Sequence, residues 1–118
     1  MAEHGLTQAH LAIVRNILVE AGVSLDGVAV FGSRATGRAR PNSDIDLVLY
    51  GPVAETTVEL LRRRFDDSLL PVTVDLHIYD RIAHAPLKAH IDRFGRPLFP
   101  PASIIPGADQ GDHSPYPA

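Results

Sequence analysis

Hydrophobic residues recur at helical spacing in three segments of the chain. They predict three amphipathic helices, over residues 6–21, 56–69 and 85–94. Thr7 is expected to cap the first helix, and Thr56 or Thr57 the second. Pro86 falls in the first turn of the last helix, where proline is well tolerated. The residues predicted to face the core are Leu11, Val14, Leu18 and Ala21; Val58, Leu61 and Phe65; and Leu87, Ile91 and Phe94.

Three other segments have the hydrophobic pattern of strands. They lie at residues 28–31, 44–50 and 72–79. The first is a short apolar run, whereas the other two alternate between apolar and polar residues. In the second strand the alternation places Asp44 and Asp46 on the face opposite the apolar residues. The third strand places Asp75 and His77 in the same way. If these two strands are neighbours, the three aspartates form one cluster.

The segment between the first two strands has features of a phosphate-binding turn. Gly32 would let a ligand approach the backbone closely, and Ser33 offers a hydroxyl group as a donor. A short helix is predicted over residues 33–38, and its first N–H groups would point at the site. Arg34, Arg38 and Arg40 add positive charge. Taken alone, the Gly-Ser pair is more typical of an ordinary turn.

The two aspartates of the second strand are the clearest indication of chemistry. Asp44 and Asp46 are two positions apart, which puts their Cα atoms about 7 Å from each other in a strand. Aspartate is a poor strand former and like charges on one face repel, so a bound cation is expected between them. Taken alone, this pair could also be a solvated strand end.

A third carboxylate, from Asp75, would complete a site of oxygen ligands, which suits Mg²⁺. Two such ions would activate an attacking hydroxyl group and stabilise a leaving pyrophosphate. Asp75 could then accept the hydroxyl proton as the general base. His77 is expected to support the ligands or face the substrate rather than bind the metal, because Mg²⁺ prefers oxygen.

Composition narrows the class of protein. The 118 residues are enough for one domain, with 45% hydrophobic and 21% charged residues. Residues 1–99 are expected to form this domain, and residues 100–118, rich in Pro and Gly, a flexible tail. The absence of cysteine excludes disulfides and favours a cytoplasmic location. No apolar run is long enough to span a membrane. The net charge of -3 argues against a general nucleic-acid binder, although a local basic patch stays possible.

The sequence GSRATGRARPNSDIDLVLY resembles, nearly residue for residue, the minimal nucleotidyltransferase branch of the DNA polymerase beta superfamily. The resemblance covers residues 6–99. It implies an α/β fold of the polymerase beta palm type, a mixed sheet flanked by helices. It implies transfer of a nucleoside monophosphate from an NTP, often ATP, with two Mg²⁺ ions. By this resemblance the catalytic and metal-binding residues are Asp44, Asp46 and Asp75, and the nucleotide-binding residues are Gly32, Ser33, Arg34 and Ser43.

The same resemblance implies a partner. Minimal nucleotidyltransferases are frequently paired with a small helical HEPN protein, an RNase toxin, and act as antitoxins that modify a toxin tyrosine with AMP. Relatives that modify drugs or RNA usually carry an extra domain for the acceptor, and this chain is expected to have no room for one. A partner chain, or another copy of this chain, would then supply that surface. Two alternatives stay open: an antitoxin that neutralises its partner by occlusion, and an enzyme with a small-molecule or RNA acceptor.

Overall fold

The computed structural model describes residues 5–99, so the predicted tail, residues 100–118, lies outside the described residues. Four helices and four strands are found within this range. In chain order they are α1 (Gln8–Glu20), β1 (Gly27–Phe31), α2 (Ser33–Thr36), β2 (Ile45–Tyr50), α3 (Glu55–Asp66), β3 (Val74–Ile78), α4 (Ala85–Phe94) and β4 (Arg96–Pro97). A 3₁₀ turn, Tyr79–Arg81, follows β3.

The strands form one mixed sheet in the order β3-β2-β1-β4. β1 is antiparallel to both β2 and β4, whereas β2 and β3 are parallel. This arrangement confirms the expected α/β fold with a mixed sheet flanked by helices. The sequence did not predict β4, because a strand of two residues is too short to display periodicity. It forms by pairing with Ala29 and Val30 of β1.

The two faces of the sheet are covered unequally. One face packs against α1 and α3, and it buries the apolar side of β2 together with Val14, Leu18, Val58, Leu61 and Phe65. This confirms the inner stripes predicted for those two helices. The opposite face has a smaller core, in which Ile91 of α4 packs on Ala29, Phe31, Val48 and Tyr50. Asp46 shares this second face, because side chains alternate along a strand.

Two predictions about helix details are wrong. α3 begins after Ala54, which makes no side-chain cap, and Thr56 and Thr57 lie within its first turn. Phe94 is 40% exposed instead of buried. Its ring lies against that of His90, with 5.1 Å between the centroids, and outside the small core that Ile91 joins. The cap of α1 is confirmed, since the Thr7 hydroxyl accepts the N–H of His10 at 3.1 Å.

No helix between residues 5 and 99 combines the length and the apolar character that crossing a bilayer requires.

Candidate active site

Strand pairing brings the predicted carboxylates to one edge of the sheet. The parallel register of β2 and β3 places Asp46 directly beside Asp75. On the other side of β2, Phe31 at the end of β1 pairs with Asp46, so Gly32 follows immediately. Asp44 precedes β2 and is exposed. Residues from three strands therefore meet where β1 ends and β2 and β3 begin.

Gly32 allows the turn after β1 to approach Asp46. Its φ of 69° and ψ of -145° lie in a region that side chains strongly disfavour. A Cβ atom at this position would overlap Asp46 Oδ2 and lie 3.3 Å from the carboxyl carbon. Glycine is therefore required here by the backbone conformation and by the carboxylate itself.

Burial and neighbouring charges act on the pKa of the Asp46 carboxyl group. Burial raises its pKa above the ordinary value, and the nearby charge of Asp75, with a smaller contribution from Asp44, raises it further. Protonation of His77 or His90 would act in the opposite direction. Ionisation of Asp46 is thus less favourable than that of an ordinary carboxyl group, and a bound cation would offset this cost.

Two histidines flank this carboxyl group. His77 Nε2 lies 3.1 Å from Asp75 Oδ2, and the His77 ring packs edge-on against Phe31 with 5.3 Å between centroids. His77 thus supports Asp75, in agreement with the supporting position expected for it. His90 Nε2 accepts the N–H of Gly32 at 3.1 Å. That hydrogen bond requires an unprotonated Nε2, so it assigns the tautomer that carries hydrogen on Nδ1.

Sequence reasoning missed His90. It is half-buried because α4 crosses the sheet face that carries Asp46. No local motif surrounds it. The available signal was its place one residue before the buried Ile91, on a helix predicted to cover the sheet.

Arg34 and Ser43 form a hydrogen-bonded contact in the turn that precedes Asp44 and Asp46. The side chain of Arg34 is only 3% exposed, and its Nη2 donates to the Ser43 carbonyl at 2.7 Å. Burial lowers the pKa of Arg34, while the charges of Asp44 and Asp46 raise it. The Ser43 hydroxyl accepts the N–H of Arg40 at 2.8 Å. Both residues therefore hold the turn that leads into Asp44, and a nucleotide contact from either stays a prediction.

A cleft of about 750 Å³ opens beside the Gly32–Ser33 turn. It is lined by Gly32, Ser33, Thr36, Arg38, His90 and Phe94, among others. One wall is α2, a single helical turn that is shorter than the predicted segment 33–38. Arg96 Nε donates to the Ala35 carbonyl at 2.8 Å and holds α2 in place. The cleft has a volume typical of small-molecule sites.

The carboxylate oxygens are suitable ligands for a hard cation, but these side chains do not form a complete coordination shell by themselves. Within residues 5–99, no three His, Cys, Asp or Glu side chains are arranged to hold a metal ion by themselves. Mg²⁺ in nucleotide enzymes commonly takes only one or two protein carboxylates and completes its shell with water and phosphate oxygens. The raised pKa of Asp46 marks the place where such an ion would relieve repulsion. Asp46, Asp75 and Asp44 therefore fit Mg²⁺ in the presence of a triphosphate.

Comparisons with solved structures agree with this fold. One solved structure, of a toxin-antitoxin with AMP-PNP, superposes with a TM-score of 0.61 at 23% identity and covers 75% of this chain and 72% of its own. A mutant of the toxin-antitoxin MntA-HpeT, with two Asp-to-Glu changes two positions apart, gives 0.59 at 21% identity, covering 75% and 71%. At these identities the likeness concerns the fold. No curated protein matches the sequence at a significant level.

The family comparison is more extensive. Residues 11–98, well over half of the chain, match the family model of the nucleotidyltransferase domain. The match includes the Gly32–Ser33 turn and all three aspartates of the sheet edge. With this match, the chain belongs to the nucleotidyltransferase domain family.

Proposed function

We propose that this protein is a Mg²⁺-dependent nucleotidyltransferase that transfers AMP from ATP to a hydroxyl group of a partner protein. The observation that carries the proposal is the pairing of Asp46 with Asp75 beside the Gly32–Ser33 turn. A cleft for a nucleotide adjoins that turn. Neighbouring carboxylates beside a cleft with donors for phosphate are what metal-assisted phosphoryl chemistry requires.

Each side chain has a distinct part in this proposal. Gly32 and Ser33 hold the β- and γ-phosphates, and Asp44, Asp46 and Asp75 provide oxygen ligands for Mg²⁺. When bound, the metal neutralises charge on the phosphates and on the leaving pyrophosphate. Asp75 accepts the proton of the acceptor hydroxyl at a carboxylate oxygen, and His77, 3.1 Å from Oδ2, orients it. The hydroxyl oxygen bonds to the α-phosphorus, and the bond to pyrophosphate breaks.

The proposed acceptor is a tyrosine of a HEPN-type toxin, which makes this protein an antitoxin. The resemblance of its central motif to minimal nucleotidyltransferases supports this acceptor. Further support comes from the two solved structures of similar fold, since both are toxin-antitoxin proteins and one contains AMP-PNP. Asp75 is exposed, so a hydroxyl group carried by another protein can reach it.

The first test follows the mass of a purified HEPN-type toxin during incubation with this protein, ATP and Mg²⁺. We expect the toxin to gain one adenylyl group. Asp75→Asn should slow that gain by about 10²- to 10⁴-fold, the usual contribution of a general base. Asp80→Asn is the matched control, because Asp80 is an exposed carboxylate in the 3₁₀ turn beyond the other end of β3. It should leave the rate unchanged.

Two results would contradict the proposal. If Asp75→Asn and Asp80→Asn modify the toxin at equal rates, Asp75 is not the base. If Asp44→Asn/Asp46→Asn transfers nothing yet still neutralises the toxin fully, protection comes from occlusion, and the protein is a binding antitoxin. Transfer of AMP to RNA or a small molecule in place of the toxin would instead identify an enzyme with a small-molecule or RNA acceptor.

A further inference from the structure

The cleft beside the Gly32–Ser33 turn is lined by polar groups and by two aromatic rings. The polar groups include those of the turn itself and of Thr36. The two rings are those of His90 and Phe94 of α4, and their centroids lie 5.1 Å apart at 47°. A nucleotide needs both kinds of surface, since its triphosphate needs donors and its base a π surface.

The geometry points to Phe94, held by His90, as the stacking surface for the base of the bound nucleotide. This inference rests on the proposed function and adds to it the residues that select the base. Phe94 is one of three large hydrophobic residues that are exposed within the described range, with 40% of its surface accessible. It is the one that lines the cleft. An exposed aromatic ring in a cleft of ligand size is typical of a binding surface.

His90 connects Phe94 to the Gly32–Ser33 turn. Its Nε2 accepts the Gly32 N–H, while its ring lies 5.1 Å from that of Phe94 and 6.3 Å from that of Phe31. The ring is therefore held in one orientation by a hydrogen bond and by the core residue Phe31. A base stacked on Phe94 would thus lie at a set distance from the turn that holds the phosphates.

Positively charged side chains lie in the cleft and beside Phe94. Arg38 and Arg96 line the cleft, and the Arg93 guanidinium carbon lies 5.3 Å from the centroid of Phe94. Nucleobases stack readily where aromatic and guanidinium groups lie together.

A second groove, of about 380 Å³, is less suited to the base. It runs along the open edge of β3 and is lined by Arg62, Arg81 and the apolar residues Leu76, Ile82 and Leu87. It does not include Gly32 or Ser33, so a base there would be separated from the phosphate turn.

The test compares three probes that share a triphosphate: ATP, UTP and inorganic tripolyphosphate, each titrated calorimetrically with Mg²⁺. Phe94→Ala should weaken ATP binding by about 5- to 150-fold, the range that alanine substitution gives for base stacking on an aromatic ring. UTP should lose less, because a pyrimidine stacks over a smaller area. Tripolyphosphate binding should stay unchanged. Phe94→Trp should retain ATP binding, because indole also presents a π face.

The matched control is Val19→Ala, which truncates an apolar residue of α1 that is similarly exposed, at 47%. It should change none of the three affinities. Equal losses of affinity for ATP and tripolyphosphate in Phe94→Ala would show that the substitution weakens phosphate binding or folding. No loss for ATP would place the base elsewhere. Either result overturns the inference. If the wild-type protein binds none of the probes, the proposed function fails first and the inference with it.

Discussion

Replacing Gly32 with alanine tests whether the close approach between the turn and Asp46 is as tight as the structure indicates. A Cβ atom at position 32 overlaps Asp46 Oδ2 in a backbone conformation that only glycine adopts easily. Gly37 is a matched control, because its φ of 78° is also positive but nothing lies within 4 Å of a Cβ built there. The two substitutions share the backbone penalty and differ in the overlap.

The expected magnitudes follow from this difference. At Gly37, with ψ of 13°, the left-handed conformation costs an alanine about 1–2 kcal/mol. At Gly32 the more restricted conformation costs about 1–3 kcal/mol, and displacing the half-buried carboxyl group adds to this. We expect a total of about 3–5 kcal/mol for Gly32→Ala. A difference of about 2 kcal/mol between the variants corresponds to roughly 8–16 °C in Tm for a domain of this size.

Urea denaturation of both variants, followed by circular dichroism, measures these costs. A double-mutant cycle with Asp46→Ala isolates the overlap, because removing the carboxyl group makes room for the new methyl group. We expect a coupling free energy of about 1 kcal/mol or more in favour of the double variant. The reasoning is refuted if Gly32→Ala costs no more than Gly37→Ala, or if the cycle gives no coupling above about 0.5 kcal/mol.

Two further predictions concern the charges of the site. Because the pKa of Asp46 is raised in the folded protein, the folded state binds this proton more tightly than the unfolded state. The free energy of unfolding should therefore fall as the pH rises from about 4, the ordinary carboxyl pKa, through the raised pKa of Asp46. Asp46→Asn should abolish this fall. In urea denaturation without ligand, this variant should be more stable than the wild type at pH 7. Equal pH profiles for wild type and Asp46→Asn would contradict this. Arg34→Met removes the donor to the Ser43 carbonyl and should lower the free energy of unfolding by about 1.5–3 kcal/mol in the same assay. A loss below about 0.5 kcal/mol would show that this hydrogen bond contributes little to stability.

Much of the fold could be predicted because alternation and helical spacing record directly which side of an element is buried. The strand at Ile45–Tyr50 has apolar residues on the side that packs against α1 and α3, and Asp46 on the other. The adjacency of Asp46 and Asp75 required more, namely the order of the strands. Spacing alone does not contain this order, although consecutive strands are neighbours more often than not.

The rest of the site depends on tertiary placement. Phe94 follows Ile91 by three positions, so its spacing indicates the core, yet Ile91 is 1% exposed and Phe94 40%. Hydrophobicity cannot distinguish a ring that packs into a core from one that lines a cleft. His90 was missed for a related reason, because its partner is a backbone N–H that lies 58 positions earlier in the chain.

Stability and activity make opposite demands on the Asp46 carboxyl group. Its burial and its acidic neighbours oppose ionisation, and the adjacent residue must lack a side chain to make room for it. None of these features stabilises the ligand-free domain, because an asparagine at position 46 would fill the same space without the charge. They become favourable only when a cation shares the site, since the charge that destabilises the empty protein then contributes to binding. The disfavoured ionisation of Asp46 is therefore a physical reason, independent of sequence likeness, to place ligand chemistry at this edge of the sheet.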